Sequence, residues 1–221
     1  MSRKYKVLDQ NDLQFLTYAV VGWVDALSRP HYKDIIVESL AHCQRDKGLQ
    51  LFAWVIMSNH VHLIARAAPG GKLENIMRDH KKFTSKAFVE AIDINGKESR
   101  KEWMLPLLRK SDGAIHFWQH DIHRIWVRSP DVIRTKLNYI HMNPVKEGYV
   151  DEPRDYRYSS AKAYAGMPTM RSIAALRRLP NRLSMGSGME RATIRNGAKS
   201  ERLPEADALS RVDQGTLCQT I

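Results

Sequence analysis

Cysteine is scarce in this chain: Cys43 and Cys218 stand far apart among 221 residues and form no metal-ligand spacing. A reduced, cytosolic setting is therefore expected. Long apolar runs are missing too. No stretch of about 18 uncharged apolar residues occurs, which argues against a membrane span. The start, Met1-Ser2-Arg3-Lys4-Tyr5-Lys6-Val7, has signal-peptide charge but no apolar segment before Asp9, Asn11 and Asp12. Aromatic residues stop at Tyr164, and beyond it Arg nearly replaces Lys. Residues 167–221 carry nine basic and five acidic side chains, +4 of the chain's +11, and are expected to be a poorly ordered tail with a short helix at Ile173–Leu179. No internal repeat is present. What remains is 43% apolar, enough for a packed core. The excess of 35 Lys and Arg over 24 Asp and Glu, with a pI near 9.7, favours a polyanionic partner, because each neutralised phosphate releases counterions. A nucleoid-associated protein would fit.

Periodicity divides the rest. Phe15 to Val24 is rich in aromatic and β-branched residues and reads as a strand. Pro30 opens a helix over His31 to Lys47, where Ile35, Ile36, Leu40 and Cys43 recur at helical spacing until Gly48. Leu49 to Ile56 and His60 to Ala67 read as a strand hairpin around Ser58-Asn59. After Pro69-Gly70-Gly71, a long helix is expected from Leu73 to about Ala91, with Arg78, His80, Lys81, Lys82 and Lys86 on its polar face. Residues 93–114 read as an inserted or mobile loop with an apolar patch at Trp103–Leu108. A short strand at Ile122–Val127 precedes Ser129, an N-cap with Pro130 behind it. The following helix is expected to end near Met142, before Asn143-Pro144, and a small helical segment near Gly166 closes the domain. The order β-α-β-β-α-β-α predicts an α+β fold: a ferredoxin-like split sheet with helices on one face and Tyr139 on a C-terminal helix. The domain would span 1–166.

Two constellations could carry chemistry. His60 and His62 are two apart on a strand, so both imidazoles leave the same face and can share one metal ion, with a third ligand needed from elsewhere. Alternating polar residues also make the wet side of a sheet, so the pair alone does not decide. Tyr139 and Asn143 are i and i+4, neighbours on one helical face. A tyrosine hydroxyl, with a pKa near 10, is a poor nucleophile until a cation assists it. A metal holding a scissile phosphate would do so, and the Asn143 carbonyl oxygen suits Mg²⁺ or Mn²⁺.

With these residues in view, Ala53–Ala65 (AWVIMSNHVHLIA) and Leu137–Val150 (LNYIHMNPVKEGYV) resemble the single-tyrosine HUH transposases. Phe117-Trp118-Gln119 and Tyr158-Ser159-Ser160 point further, to the REP-associated tyrosine transposases. The likeness covers residues 13–166; Ile122-His123-Arg124 stands where members often read Asn-His-Pro. It implies His60, His62 and Asn143 as ligands of a divalent metal. Tyr139 would attack single-stranded DNA to leave a 5′-phosphotyrosine and a free 3′-hydroxyl. The implied partner is single-stranded or hairpin DNA, and related transposases can act as homodimers.

For holding DNA, the basic residues Arg78, Lys81, Lys82 and Lys86 are the candidate backbone contacts. Trp23, Trp54, Trp118 and Trp126 could include stacking surfaces, although strand tryptophans usually pack. His141 is expected to point away from Tyr139, towards solvent or DNA. The loose cluster His116, His120 and His123 matches no defined metal motif, and Asp121 has no evident partner. Two other readings stand beside the nicking enzyme. One is a catalytically silent DNA- or RNA-binding regulator; the other is a metal-dependent hydrolase that uses activated water.

Overall fold

The structure, a computed structural model, describes residues 12–168. The expected helix at Ile173–Leu179 and nearly all of the tail lie outside them. The first strand, β1, spans Gln14–Ala19 and the first helix, α1, Pro30–Asp46. The hairpin of β2 (Leu49–Ile56) and β3 (His60–Ala67) has the boundaries that its apolar pattern predicted. Next come α2 (Leu73–Ile94), α3 (Lys101–Leu107), β4 (His123–Trp126), α4 (Pro130–Lys146) and the single turn α5 (Ala161–Tyr164). The four strands lie in the order β2-β3-β1-β4, antiparallel throughout. This is the split β-α-β-β-α-β arrangement.

Because side chains alternate along a strand, the sheet has two distinct faces. Leu16, Tyr18, Val61 and Leu63 point to the face covered by α1 and α2. There the Tyr18 hydroxyl bonds His80 Nε2 at 2.8 Å and Ser39 Oγ takes His80 Nδ1 at 2.8 Å. Phe15, Thr17, His60 and His62 point to the opposite face, where α4 packs and brings Tyr139 against Phe15 and His62. The expected helices on one face are thus α1 and α2, with α4 on the other. Among the described residues no helix is long and apolar enough to cross a membrane.

The elements depart from the sequence reading in four places. The first strand does not continue to Val24, because Gly22 and Trp23 take φ +62 and +56 and turn the chain out of the sheet. The segment 93–114 is no featureless loop: it carries α3, with Met104 and Leu108 buried. Buried Glu98 anchors it by accepting from Arg100 Nε at 2.8 Å, Arg29 Nε at 2.9 Å and the Tyr32 hydroxyl at 3.0 Å. The Arg100 guanidinium beside Glu98 holds its carboxyl down to about 2. His80 is core, not part of a polar helix face, and its burial lowers its pKa to about 3. Finally, α4 does not stop at Asn143. It runs on through Pro144, and Glu147 N–H still bonds the Asn143 carbonyl at 3.1 Å. The proline removes one donor but the next bond closes the turn, which leaves Asn143 buried instead of frayed.

Candidate metal and nucleophile site

β3 is an inner strand, hydrogen-bonded to β2 and β1, so its backbone leaves little freedom to re-aim a side chain. His60 and His62 leave the same face with ring centroids 4.7 Å apart. Thr17 lies directly across from His62, and its Oγ1 is 2.7 Å from His62 Nδ1. His60 Nδ1 donates to Asn59 Oδ1 at 2.7 Å. Both imidazoles are therefore held by their Nδ1 edges, the arrangement in which an outer partner sets ring and tautomer for metal binding through the other nitrogen. The Phe15 ring stacks on His62 at 5.4 Å and 21°.

The opposing helix α4 starts from the cap predicted for it, with Ser129 Oγ accepting from Val132 N–H at 3.3 Å. Burial of Ile133, Leu137, Ile140 and Pro144 then fixes its rotation. That rotation places Tyr139 with its ring 5.1 Å from His62, edge to face, and leaves it 38% exposed. One turn on, the buried Asn143 side chain stands beside both groups, opposing the burial that lowers His60 and the burial that raises Tyr139. The four residues singled out from sequence thus meet in one place.

The electrostatics suit metal ligation. Burial lowers His60 to about 4 against the opposing pull of Asn143 and Asp25. Burial, then His60, then Lys136, push His62 well below the ordinary histidine value. Both rings are neutral at physiological pH, the form that coordinates metals. Tyr139 is raised, chiefly by burial, so it is no spontaneous phenolate. Two buried polar atoms at the site, His62 Nε2 and Asn143 Oδ1, have no hydrogen-bond partner. Orphaned buried polar atoms are rare and call for an explanation such as an ion. Among the described residues no three His, Cys, Asp or Glu side chains cluster, so within them the donor beside the two imidazoles is the Asn143 amide. Two imidazoles and an amide oxygen can hold a divalent cation: the amide oxygen suits Mg²⁺ or Mn²⁺, and the imidazole nitrogens favour a transition ion such as Mn²⁺ of the two.

Two cations flank the tyrosine. Lys136 Nζ lies 5.8 Å from the Tyr139 ring centroid and Lys146 Nζ 5.9 Å. The sequence reading missed both. The signal was available, because Lys136, Tyr139, Asn143 and Lys146 follow i, i+3, i+7, i+10 along one helical stripe. By contrast, the basic residues of α2 sit on the sheet's other face from Tyr139. Arg78, Lys82 and Lys86 are exposed there, whereas Lys81 is half-buried and spends its ammonium on the carbonyls of Gln119 and His120 at 2.7 and 3.0 Å. His141 does not stand free in solvent: it bonds Ser160 Oγ at 2.9 Å and packs on Tyr164. His120 pairs with Asp121 at 3.0 Å, both exposed.

The IS200-like transposase family matches residues 25–104, a span that includes His60 and His62 and ends before Tyr139. The chain resembles IS200-like transposases. Within that class it resembles the REP-associated tyrosine transposases. One such protein, from Escherichia coli K12, is 26% identical over 117 residues, which make up 53% of this chain and 57% of the relative. This chain thus spans little more than half the length of that relative. The solved structure of a REP-associated tyrosine transposase bound to a REP hairpin shares the fold, with TM-score 0.54 and 19% identity, covering 87% of this chain and 99% of that one.

Proposed function

We propose that this chain is a transposase-type enzyme that nicks and rejoins single-stranded DNA beside a hairpin, with Tyr139 as the nucleophile. The observation that carries the proposal is the Tyr139 ring standing 5.1 Å from that of His62, beside two unpartnered buried polar atoms, His62 Nε2 and Asn143 Oδ1, with both imidazoles neutral. The likeness to transposases supports it. His60, His62 and Asn143 would hold Mg²⁺ or Mn²⁺, which when bound supplies the positive charge that polarises a phosphate and eases loss of the phenol proton.

In the step itself, Tyr139 Oη forms a bond to phosphorus and the bond from phosphorus to the 3′-oxygen breaks. The products are a 5′-phosphotyrosine and a 3′-hydroxyl; the phenol proton is released and the leaving oxygen gains one, so protons balance. Rejoining is the reverse, with a 3′-hydroxyl attacking the phosphotyrosine. Asn143 orients the phenol, and Lys136 and Lys146 offset phosphate charge beside it. Arg78, Lys82 and Lys86 would contact backbone phosphates of DNA reaching the far side of the sheet.

The test is a protein–DNA adduct formed on hairpin DNA with single-stranded flanks, resolved on a denaturing gel. The adduct is expected with Mn²⁺ or Mg²⁺, lost with chelator, and absent in Tyr139→Phe while DNA binding persists. An adduct that survives Tyr139→Phe overturns the assignment. Salt-sensitive binding without cleavage in any divalent metal would instead identify a binding-only protein, and cleavage without an adduct a hydrolase.

A further inference from the structure

Of the tryptophans that the sequence offers as stacking surfaces, the fold buries Trp54 and Trp118 in the core, and Trp126 is half-buried under the Arg128 guanidinium. Trp23 is different. Its side chain is 54% exposed, and its ring centroid lies 5.8 Å from that of the proposed metal ligand His60. From there His60 to His62 is 4.7 Å and His62 to Tyr139 is 5.1 Å, so Trp23 and the proposed nucleophile stand at the two ends of one row of neighbouring rings.

The backbone under Trp23 is also unusual. Its φ of +56 is the one positive value at a non-glycine residue among the described residues. Gly22 before it has φ +62, and Val24 N–H bonds the Val21 carbonyl at 3.4 Å, closing a turn whose two central residues are both left-handed. Such turns favour Asn-Gly, and a tryptophan in the second position goes against local preference. Residues held in this way concentrate at functional sites. The turn is fixed from the site itself: Asn59 Nδ2 donates to the Trp23 carbonyl at 3.2 Å, and Asn59 Oδ1 accepts from His60 Nδ1. Val21 N–H bonds the Phe117 carbonyl at 2.9 Å and holds the other arm. Neither core packing nor turn chemistry accounts for a large exposed ring at this place.

We infer that Trp23 is the stacking platform for an unpaired nucleobase of the strand whose phosphate lies at Tyr139. This inference rests on the single-stranded-DNA reading of the site. Proteins that hold single strands combine cations along the backbone with aromatic faces on which bases stack, and stacking tolerates any base because every base has a π-face. Here Lys136 and Lys146 are the cations, and Trp23 is the exposed face at the opposite end of the row.

The probe is a DNA hairpin with a single-stranded flank, together with copies carrying one abasic residue at each flank position in turn. Binding is measured by fluorescence anisotropy on a Tyr139→Phe chain, so that nothing is cut. Trp23→Gly should bind the intact flank about 5- to 150-fold more weakly, while Trp23→Phe and Trp23→Tyr keep most of the affinity. At one abasic position the unsubstituted ring should already have lost the same factor, and Trp23→Gly should add nothing further. The unfolding midpoint of Trp23→Gly should hold or rise, because glycine adopts this φ freely. A Trp23→Gly loss that is equal at every abasic position overturns the inference, as does a lowered midpoint that Trp23→Phe restores without restoring binding. Adduct formation is scored separately on the native chain. Base coupling without an adduct keeps the platform and sinks the nucleophile, and an adduct without coupling does the reverse.

Discussion

Replacing Thr17 by valine keeps the shape of the strand residue and deletes a single contact, the 2.7 Å bond to His62 Nδ1. His62 is only 4% exposed, so water cannot take over that bond, and the ring would be left with neither nitrogen partnered. Leaving a buried polar group unsatisfied costs about 1–3 kcal/mol, which is about 5- to 150-fold in an equilibrium constant. That cost falls on folding, with or without metal; for metal binding itself, outer partners of metal-bound histidines characteristically contribute about 10–100-fold to affinity. The Mn²⁺ concentration at half-maximal adduct formation should therefore rise about 10–100-fold in Thr17→Val, whereas the rate at saturating Mn²⁺ changes only a few-fold. Calorimetric titration of the DNA-free protein with Mn²⁺ should show the same loss, and Thr17→Ser should restore it. An unchanged metal midpoint in Thr17→Val would refute the idea that Thr17 orients a ligand. A lost rate at saturating metal with an unchanged midpoint would place His62 in another role.

Three further outcomes follow from the same structure. Lys136→Ala and Lys146→Ala should each slow adduct formation, and each should reduce by about 1 the slope of log binding constant against log salt, read by anisotropy between low and moderate salt. Charge reversal of Arg78, Lys82 and Lys86 on α2 should weaken binding of long hairpins but leave the adduct rate on a short single strand unchanged, since these residues lie on the sheet face away from Tyr139. Acid should unfold the chain through buried histidine: His80 ordinarily titrates near 6.5 and is held near 3 by burial, so the neutral ring belongs to the folded form. Its contribution is complete above about pH 6.5 and is lost as pH falls towards 3. The loss is on the order of 4 kcal/mol by then, visible as a falling urea midpoint that His80→Gln flattens.

Local signals foretold most of the frame. The β2–β3 hairpin followed from two apolar runs around Ser58-Asn59, and the start of α4 followed from Ser129-Pro130. Both rest on neighbours in sequence, where propensity and capping act. The end of α4 did not follow, because Pro144 normally argues for a stop and only burial of Ile140, Asn143 and Pro144 against the fold carries the helix through it. His80 and Lys81 looked like a polar helix face by spacing, yet one binds Tyr18 and Ser39 in the core and the other caps two carbonyls after Trp118. The Glu98 anchor was equally hidden, since its partners Arg29 and Tyr32 lie far back in the chain.

The sequence by itself determined that His60 and His62 share a face and that Tyr139 and Asn143 share a helical stripe, because the strand period of two and the helical turn are local geometry. Tertiary structure alone decided that the stripe meets that face. The rotation of α4, set by Ile133, Leu137 and Ile140, brings Tyr139 within 5.1 Å of His62, and Thr17 and Asn59 then hold the two imidazoles from behind. The same packing sends the basic stripe of α2 to the far side of the sheet and leaves Lys136, Lys146 and Trp23 around the site. These placements depend on which sheet face each element covers, and no spacing within one segment records that.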